Sequence, residues 1–197
     1  MKAKSYLSLI KFSHTLFALP FAIIGGILGY QNNTELTLNQ TIVIGLAALG
    51  CMVFGRSAAM AFNRYIDRKI DKANPRTITR EIPSGIISEK NAVLFILCCV
   101  VLFIVCAGLI NRTCLFLSPV ALLVILGYSL TKRFTFLCHF ILGLGLSLAP
   151  VGAYLAFSPN FSMLPVSYGI GVLCWVAGFD IIYALQDEEF DKSQSLH

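Results

Sequence analysis

At 197 residues the chain has room for one domain, and with 57% hydrophobic against 13% charged residues it is too apolar for a soluble fold, whose charged share is about a quarter. About six spans of roughly 20 residues with short connections would nearly fill it. The net charge of +5 raises the question of nucleic acid, but most basic residues flank apolar runs, where membrane topology accounts for them; no nucleic-acid partner is expected.

The start, Met1 to His14, is cationic and mildly amphipathic, which fits a segment lying along the membrane surface. Span one is expected from Thr15 to Tyr30, with Pro20 as a possible kink. It is long, carries Pro20 and paired glycines, and is not followed by a small-residue cleavage site, so the span is expected to stay in the mature protein. A lysine-free polar turn, Gln31 to Gln40, leads to span two, Thr41 to Phe62. The densely charged stretch 63–85 comes next. Span three is expected at Ala92–Ile110, span four at Leu115–Leu130, span five at Phe136–Phe157 and span six at Val166–Leu185. Alternating strand patterns of the membrane-barrel kind do not occur. The fold class is therefore an all-α, multi-pass transmembrane helical bundle embedded in a lipid bilayer. Gly25, Gly26, Gly29, Gly143 and Gly145 fit close helix packing. The seven cysteines sit in or beside apolar runs without a CxxC pair and read as small buried hydrophobes.

With the N-terminus in the cytoplasm, that face carries every Lys and Arg except Arg112 and Arg56, thirteen of fifteen. The positive-inside rule then puts both termini in the cytoplasm. It also puts two acidic stripes on one face. The first is Asn63, Asp67 and Asp71, at i, i+4 and i+8; on a continuing helix they drift only about 40° per step. Two carboxylates and an uncharged amide oxygen suit Mg²⁺, a hard ion that binds through one or two carboxylates while phosphates and waters complete its octahedron. The plainer reading is a solvated helix end, where Asp beside Lys or Arg is ordinary. The second stripe is Asp180, Asp187 and Asp191, at i, i+7 and i+11.

Arg56 lies inside span two, seven residues before Asn63 and so on the same face. An intramembrane arginine is expensive and normally faces a cavity; the alternative is an arginine snorkelling to the surface. His14, at the mouth of span one, is a candidate substrate contact or a plain interfacial histidine. His139, on an apolar stretch without an acidic neighbour in sequence, reads as structural. Tyr183 either supports the second stripe or anchors a span end. A transporter would also carry intramembrane Arg and Asp, but near the midplane and in paired halves; here the acids cluster at one surface and no halves match. The DGxxAR string of CDP-alcohol phosphotransferases does not occur, and hydropathy excludes a soluble prenyl synthase.

The strings NRYIDRKID at Asn63–Asp71 and DIIYALQDEEFD at Asp180–Asp191 resemble the UbiA superfamily of intramembrane prenyltransferases. Tyr128-xxx-Lys132 is similar to the YxxxK element of that family, and Lys132 and Arg133 become candidate diphosphate contacts. The segments Phe12–Phe21 and Asn74–Gly85 look like the 4-hydroxybenzoate polyprenyltransferase-like branch, including menaquinone enzymes of the futalosine route. The resemblance implies transfer of a polyprenyl group from polyprenyl diphosphate to a hydroxylated aromatic acid in ubiquinone or menaquinone biosynthesis. Mg²⁺ would be held by Asn63, Asp67, Asp71, Asp187 and Asp191, in a bacterial inner (plasma) membrane. Ser13-His14-Thr15 stands where the ubiquinone branch commonly has Arg-Pro, which favours a naphthoate acceptor. Family members usually have about nine spans of roughly 20 residues, so a single domain over 1–197, incomplete at its C-terminus, is expected.

Overall fold

The computed structural model describes residues 2–10, 13–33, 35–131 and 133–185, the side chains of residues 2–4 and 13–16 excepted. Among the described residues eight helices follow one another: α1 Lys2–Leu9, α2 Ser13–Gln31, α3 Leu38–Ile66, α4 Arg68–Ala73, α5 Glu89–Ile110, α6 Arg112–Thr131, α7 Cys138–Phe157 and α8 Met163–Ala184. The described residues contain no strand. Five helices, α3 and α5 to α8, are long and apolar enough to cross a membrane. The first expected span corresponds to α2, Ser13–Gln31, which packs in the same bundle. Large apolar side chains such as Phe116, Leu123 and Ile182 are exposed on the outside, the arrangement a protein solvated by lipid requires. The chain is a multi-pass integral membrane protein.

Helix ends are fixed by local chemistry. Thr37 and Gln40 form a reciprocal capping box at the start of α3, and Ser88 caps α5 by accepting from the Asn91 N–H; both satisfy otherwise orphaned N–H groups. Asn111 serves three helices. Its N–H donates to Ala107 at the end of α5, its Oδ1 accepts from Cys114 N–H at the start of α6, and its Nδ2 donates to the Leu155 and Ala156 carbonyls at the end of α7. Asn32 and Asn33, after α2, donate to the Tyr154 hydroxyl and the Phe157 carbonyl. The end of the bundle away from the charged stretch is thus laced by asparagines.

Glycines set the closest approaches. A Cβ at Gly25 or Gly29 would come within 2.0 Å of the Pro150 carbonyl oxygen or 2.4 Å of the Tyr154 carbonyl oxygen, and one at Gly143 within 2.4 Å of the Leu173 carbonyl oxygen. Backbone therefore touches backbone between α2 and α7 and between α7 and α8. Gly26 meets the Phe157 ring at 3.3 Å, whereas Gly145 has ordinary room, 3.7 Å from Ile125. At the charged end a small core joins Leu9 of α1, Ala61 of α3, Ile82 and Ile87 of the following loop, and Ala92 and Ile96 of α5. It seats the loop 74–88 and α1 against the bundle. None of the seven cysteines forms a disulfide.

Candidate active site

One stripe of α3 carries much of the site. Thr41, Gly45, Ala48, Met52, Arg56, Ala59 and Asn63 recur every three or four residues, and all line a single cavity of about 1150 Å³. Small residues on a helix face leave volume that neighbouring helices do not fill; a Cβ at Gly45 would meet nothing within 4 Å. The cavity runs along the bundle interior. Its far part is apolar, with Ile23, Ile27 and Leu49 on its walls, and its near part is lined by Arg56, Asn63, Arg64, Arg76, Arg80, Tyr128, Asp180 and Tyr183.

The first acidic stripe continues beyond Asn63, but not on one unbroken helix. α3 stops at Ile66, and Asp67, with φ −86° and ψ 0°, separates it from α4. The hydrogen bonds keep step across the break: Asp67 N–H donates to the Asn63 carbonyl and Asp71 N–H to the Asp67 carbonyl. The three residues therefore stay in line, as the i, i+4, i+8 spacing requires.

Asp67 and Asp71 are both buried and both held by arginine. Arg133, from the turn after α6, lies 3.1 Å from Asp67 Oδ1 and also donates to the Ile66 carbonyl. Arg80, from the loop 74–88, donates to both Asp71 oxygens at 2.8 and 3.0 Å. The loop is shaped to deliver it: Asn74 Oδ1 accepts from Arg76 N–H, and Thr77 Oγ1 donates to the Asp71 carbonyl. Next to Arg80, Glu81 meets Arg64 at 3.1 Å with both side chains buried, and accepts from the Ser8 hydroxyl of α1. Removing a charge from water is tolerated only with such partners.

Arg56 and Asn63, two turns apart on α3, face the same cavity. The Arg56 Nε is buried and has no hydrogen-bond partner among the described residues. Tyr128 stands opposite, close enough to Arg56, Asp67 and Asp180 for each to act on its hydroxyl electrostatically. Asp180, from the second stripe, thus shares the cavity with Arg56 and Asn63 of the first. Tyr183, one turn further along α8, also lines it. Asp187, Asp191 and Lys132 lie outside the described residues, as does the side chain of His14.

Two features gain a place only in the fold. By charge alone Arg76 and Arg80 are candidates for attracting phosphate or for setting topology; both line the cavity, where the fold of their loop brings them. His139, taken as structural for want of an acidic neighbour, has one in space: its Nδ1 is 2.8 Å from Asp180 Oδ2. The spacing from residue 139 to residue 180 carries no signal, because the contact crosses two antiparallel helices.

The donor set tests the fit of a metal. Among the described residues no three His, Cys, Asp or Glu side chains converge on one point; what is present is two buried carboxylates and one amide oxygen in line. Oxygen donors of this kind suit Mg²⁺ rather than a softer ion, and the neighbouring arginines suit the phosphates that commonly complete such a site.

A profile of the UbiA prenyltransferase family matches residues 18–197. A 4-hydroxybenzoate octaprenyltransferase of Francisella tularensis subsp. mediasiatica (strain FSC147) is 33% identical over 152 residues, covering 76% of this chain and 49% of its own length. One from Aliivibrio fischeri (strain MJ11) is 36% identical over 141 residues, 71% of this chain and 49% of its own. The chain spans about half the length of these curated relatives. Among solved structures, the apo UbiA homolog from Aeropyrum pernix K1 superposes with a TM-score of 0.82 at 34% identity, over 93% of this chain and 67% of that one. A UbiA homolog from Archaeoglobus fulgidus bound to GPP and Mg²⁺ shares the fold, with a TM-score of 0.76 at 24% identity over 98% of this chain and 66% of that one. With the family profile matched along nearly its whole length, this chain belongs to the UbiA prenyltransferase family.

Proposed function

We propose that the protein transfers a polyprenyl group from polyprenyl diphosphate to a hydroxylated aromatic acid, 4-hydroxybenzoate or a hydroxynaphthoate, in the synthesis of ubiquinone or menaquinone. The observation that carries this reading is the continuity of one cavity from an apolar interior to a rim of arginines and oxygen donors. A molecule that is greasy along its length and polyanionic at its head fits no simpler container. The names of the relatives, 4-hydroxybenzoate octaprenyltransferase, and the GPP and Mg²⁺ in the fold neighbour support the same reading.

In the reaction the bond between the allylic C1 and its oxygen breaks, and the electron pair leaves with the diphosphate. A ring carbon of the acceptor forms the new bond to C1 and loses its proton. Asn63, Asp67 and Asp71, together with Asp187 and Asp191, would hold Mg²⁺, which when bound neutralises the leaving group. Arg76, Arg80, Lys132 and Arg133 are assigned to the diphosphate oxygens, with His14 at the rim. Arg56, whose Nε is buried without a hydrogen-bond partner among the described residues, is assigned to the acceptor's carboxylate, and Asp180 to its ring hydroxyl. Tyr128 and Tyr183 line the space between them and keep water from the carbocation. The acidic rim and both termini are assigned to the cytoplasmic side of a bacterial inner membrane, where polyprenyl diphosphates and aromatic acids meet.

The test is to supply membranes carrying the protein with polyprenyl diphosphate, Mg²⁺ and a panel of hydroxybenzoates and hydroxynaphthoates. Prenylated product that disappears with chelator and falls at least a hundredfold in Asp67→Ala and Asp71→Ala supports the proposal. Undiminished turnover in those variants rejects the site, and substrate flux across sealed vesicles without product favours a transporter.

A further inference from the structure

His139 occupies the first turn of α7, and its Nδ1 is 2.8 Å from Asp180 Oδ2 on α8. Both side chains are largely enclosed, 18% and 33% exposed. The contact depends on the place where the two helices touch: one turn beyond His139, Gly143 lets the α7 backbone meet the Leu173 carbonyl of α8. Antiparallel running from that point puts the turn 177–180 of α8 beside residue 139, within reach of the Asp180 carboxylate.

Asp180 lines the cavity with Arg56 and Tyr128, while His139 stands behind it, off the cavity wall. A carboxylate inside a membrane bundle is expensive and needs a fixed partner. Among the described residues its hydrogen-bond partner is His139. An Nδ1–H donor engages one carboxylate oxygen, Oδ2, and thereby fixes the plane of the group and the direction of Oδ1. This is how an outer residue sets the aim of an inner one.

We propose that His139 is a positioning residue that holds Asp180 so that the second carboxylate oxygen receives the ring hydroxyl of the aromatic acceptor. The inference rests on the prenyl-transfer reading for the identity of the acceptor. A hydroxyl donating to a carboxylate pushes electron density into its ring, which favours attack by the ring carbon beside it. His139 needs no contact with either substrate to do this, and it leaves the diphosphate end of the cavity alone.

The test compares His139→Leu with His139→Asn, whose amide nitrogen keeps a donor near the Nδ1 position, each in the native background and with Asp180→Asn. In the membrane assay His139→Leu is expected to lower kcat/KM for 4-hydroxybenzoate about tenfold while KM for polyprenyl diphosphate stays unchanged. His139→Asn is expected to recover most of the loss. In the Asp180→Asn background His139→Leu should cost nothing further, since a residue acting through Asp180 has nothing left to aim. Equal losses in Leu and Asn, a loss shared by both substrates, or a loss that persists beside Asp180→Asn would overturn the proposal. If His139→Leu does not elute as folded protein in detergent, His139→Gln serves as the misaligned variant. If the wild type makes no product, the prenyl-transfer reading fails separately; the positioning role is then judged by equilibrium dialysis of radiolabelled 4-hydroxybenzoate against the same set. The same pattern in affinity upholds it, and unaltered or undetectable binding overturns it.

Discussion

The Arg56 Nε is buried and has no hydrogen-bond partner among the described residues, which leaves it for a ligand to engage. A charged hydrogen bond to a ligand carboxylate is worth about 1.5–3 kcal/mol. Arg56→Leu is therefore expected to lower kcat/KM for 4-hydroxybenzoate by about ten- to a hundredfold, and to spare a phenol that lacks the carboxylate, as side-by-side kinetics will read. Arg64 makes the opposite case, since its partner Glu81 is fixed and buried. Arg64→Leu leaves that carboxylate with Ser8 as its remaining partner among the contacts described, and is expected to cost about 3 kcal/mol of stability. Changing Glu81 to Leu as well should restore most of it, which thermal unfolding of the detergent-solubilised single and double variants will show.

At the scale of elements, the apolar runs and their polar joints were legible: each expected span became a helix. The starts of α3, α5 and α8 moved outward to the caps Thr37, Ser88 and Ser162, while α3 ran on past Phe62 to Ile66 and α7 began at Cys138 rather than Phe136. What the sequence hid were contacts between elements. Gly143 and Gly145 look alike in the chain, yet one abuts the Leu173 carbonyl and the other has free room. Gly143→Ala is accordingly expected to force α7 and α8 apart at a cost of about 2 kcal/mol, whereas Gly145→Ala should be neutral or gain up to about 1 kcal/mol from helix propensity; melting temperatures of the two variants will separate them. The in-line acids were legible from spacing alone, but the arginines that hold Asp67 and Asp71 come from a distant turn and a loop. Arg133 was marked as a candidate by the Tyr128-xxx-Lys132 element beside it, but nothing in the sequence pointed to its contact with Asp67 or to that of Arg80 with Asp71.

For the whole molecule, the governing dimension is the length of the cavity. From Asn63 down to Gly45 is eighteen residues of α3, about 27 Å of helix, all on one lining stripe. A large side chain at the deep end should therefore set the longest donor the protein accepts. Gly45→Phe is expected to abolish use of long polyprenyl diphosphates while leaving short ones, such as geranyl diphosphate, within about twofold of the wild-type rate; product chain lengths by mass spectrometry will show the cut-off.

Asn111 ties the ends of α5, α6 and α7 together on the face remote from the acids, its backbone N–H bonded to α5 and its side chain to α6 and α7. Three staves bound at one rim can spread only at the other. Any swelling that admits a long tail must therefore open from the rim that carries the acids, and amide exchange on the asparagine-bound rim should be the slowest in the protein.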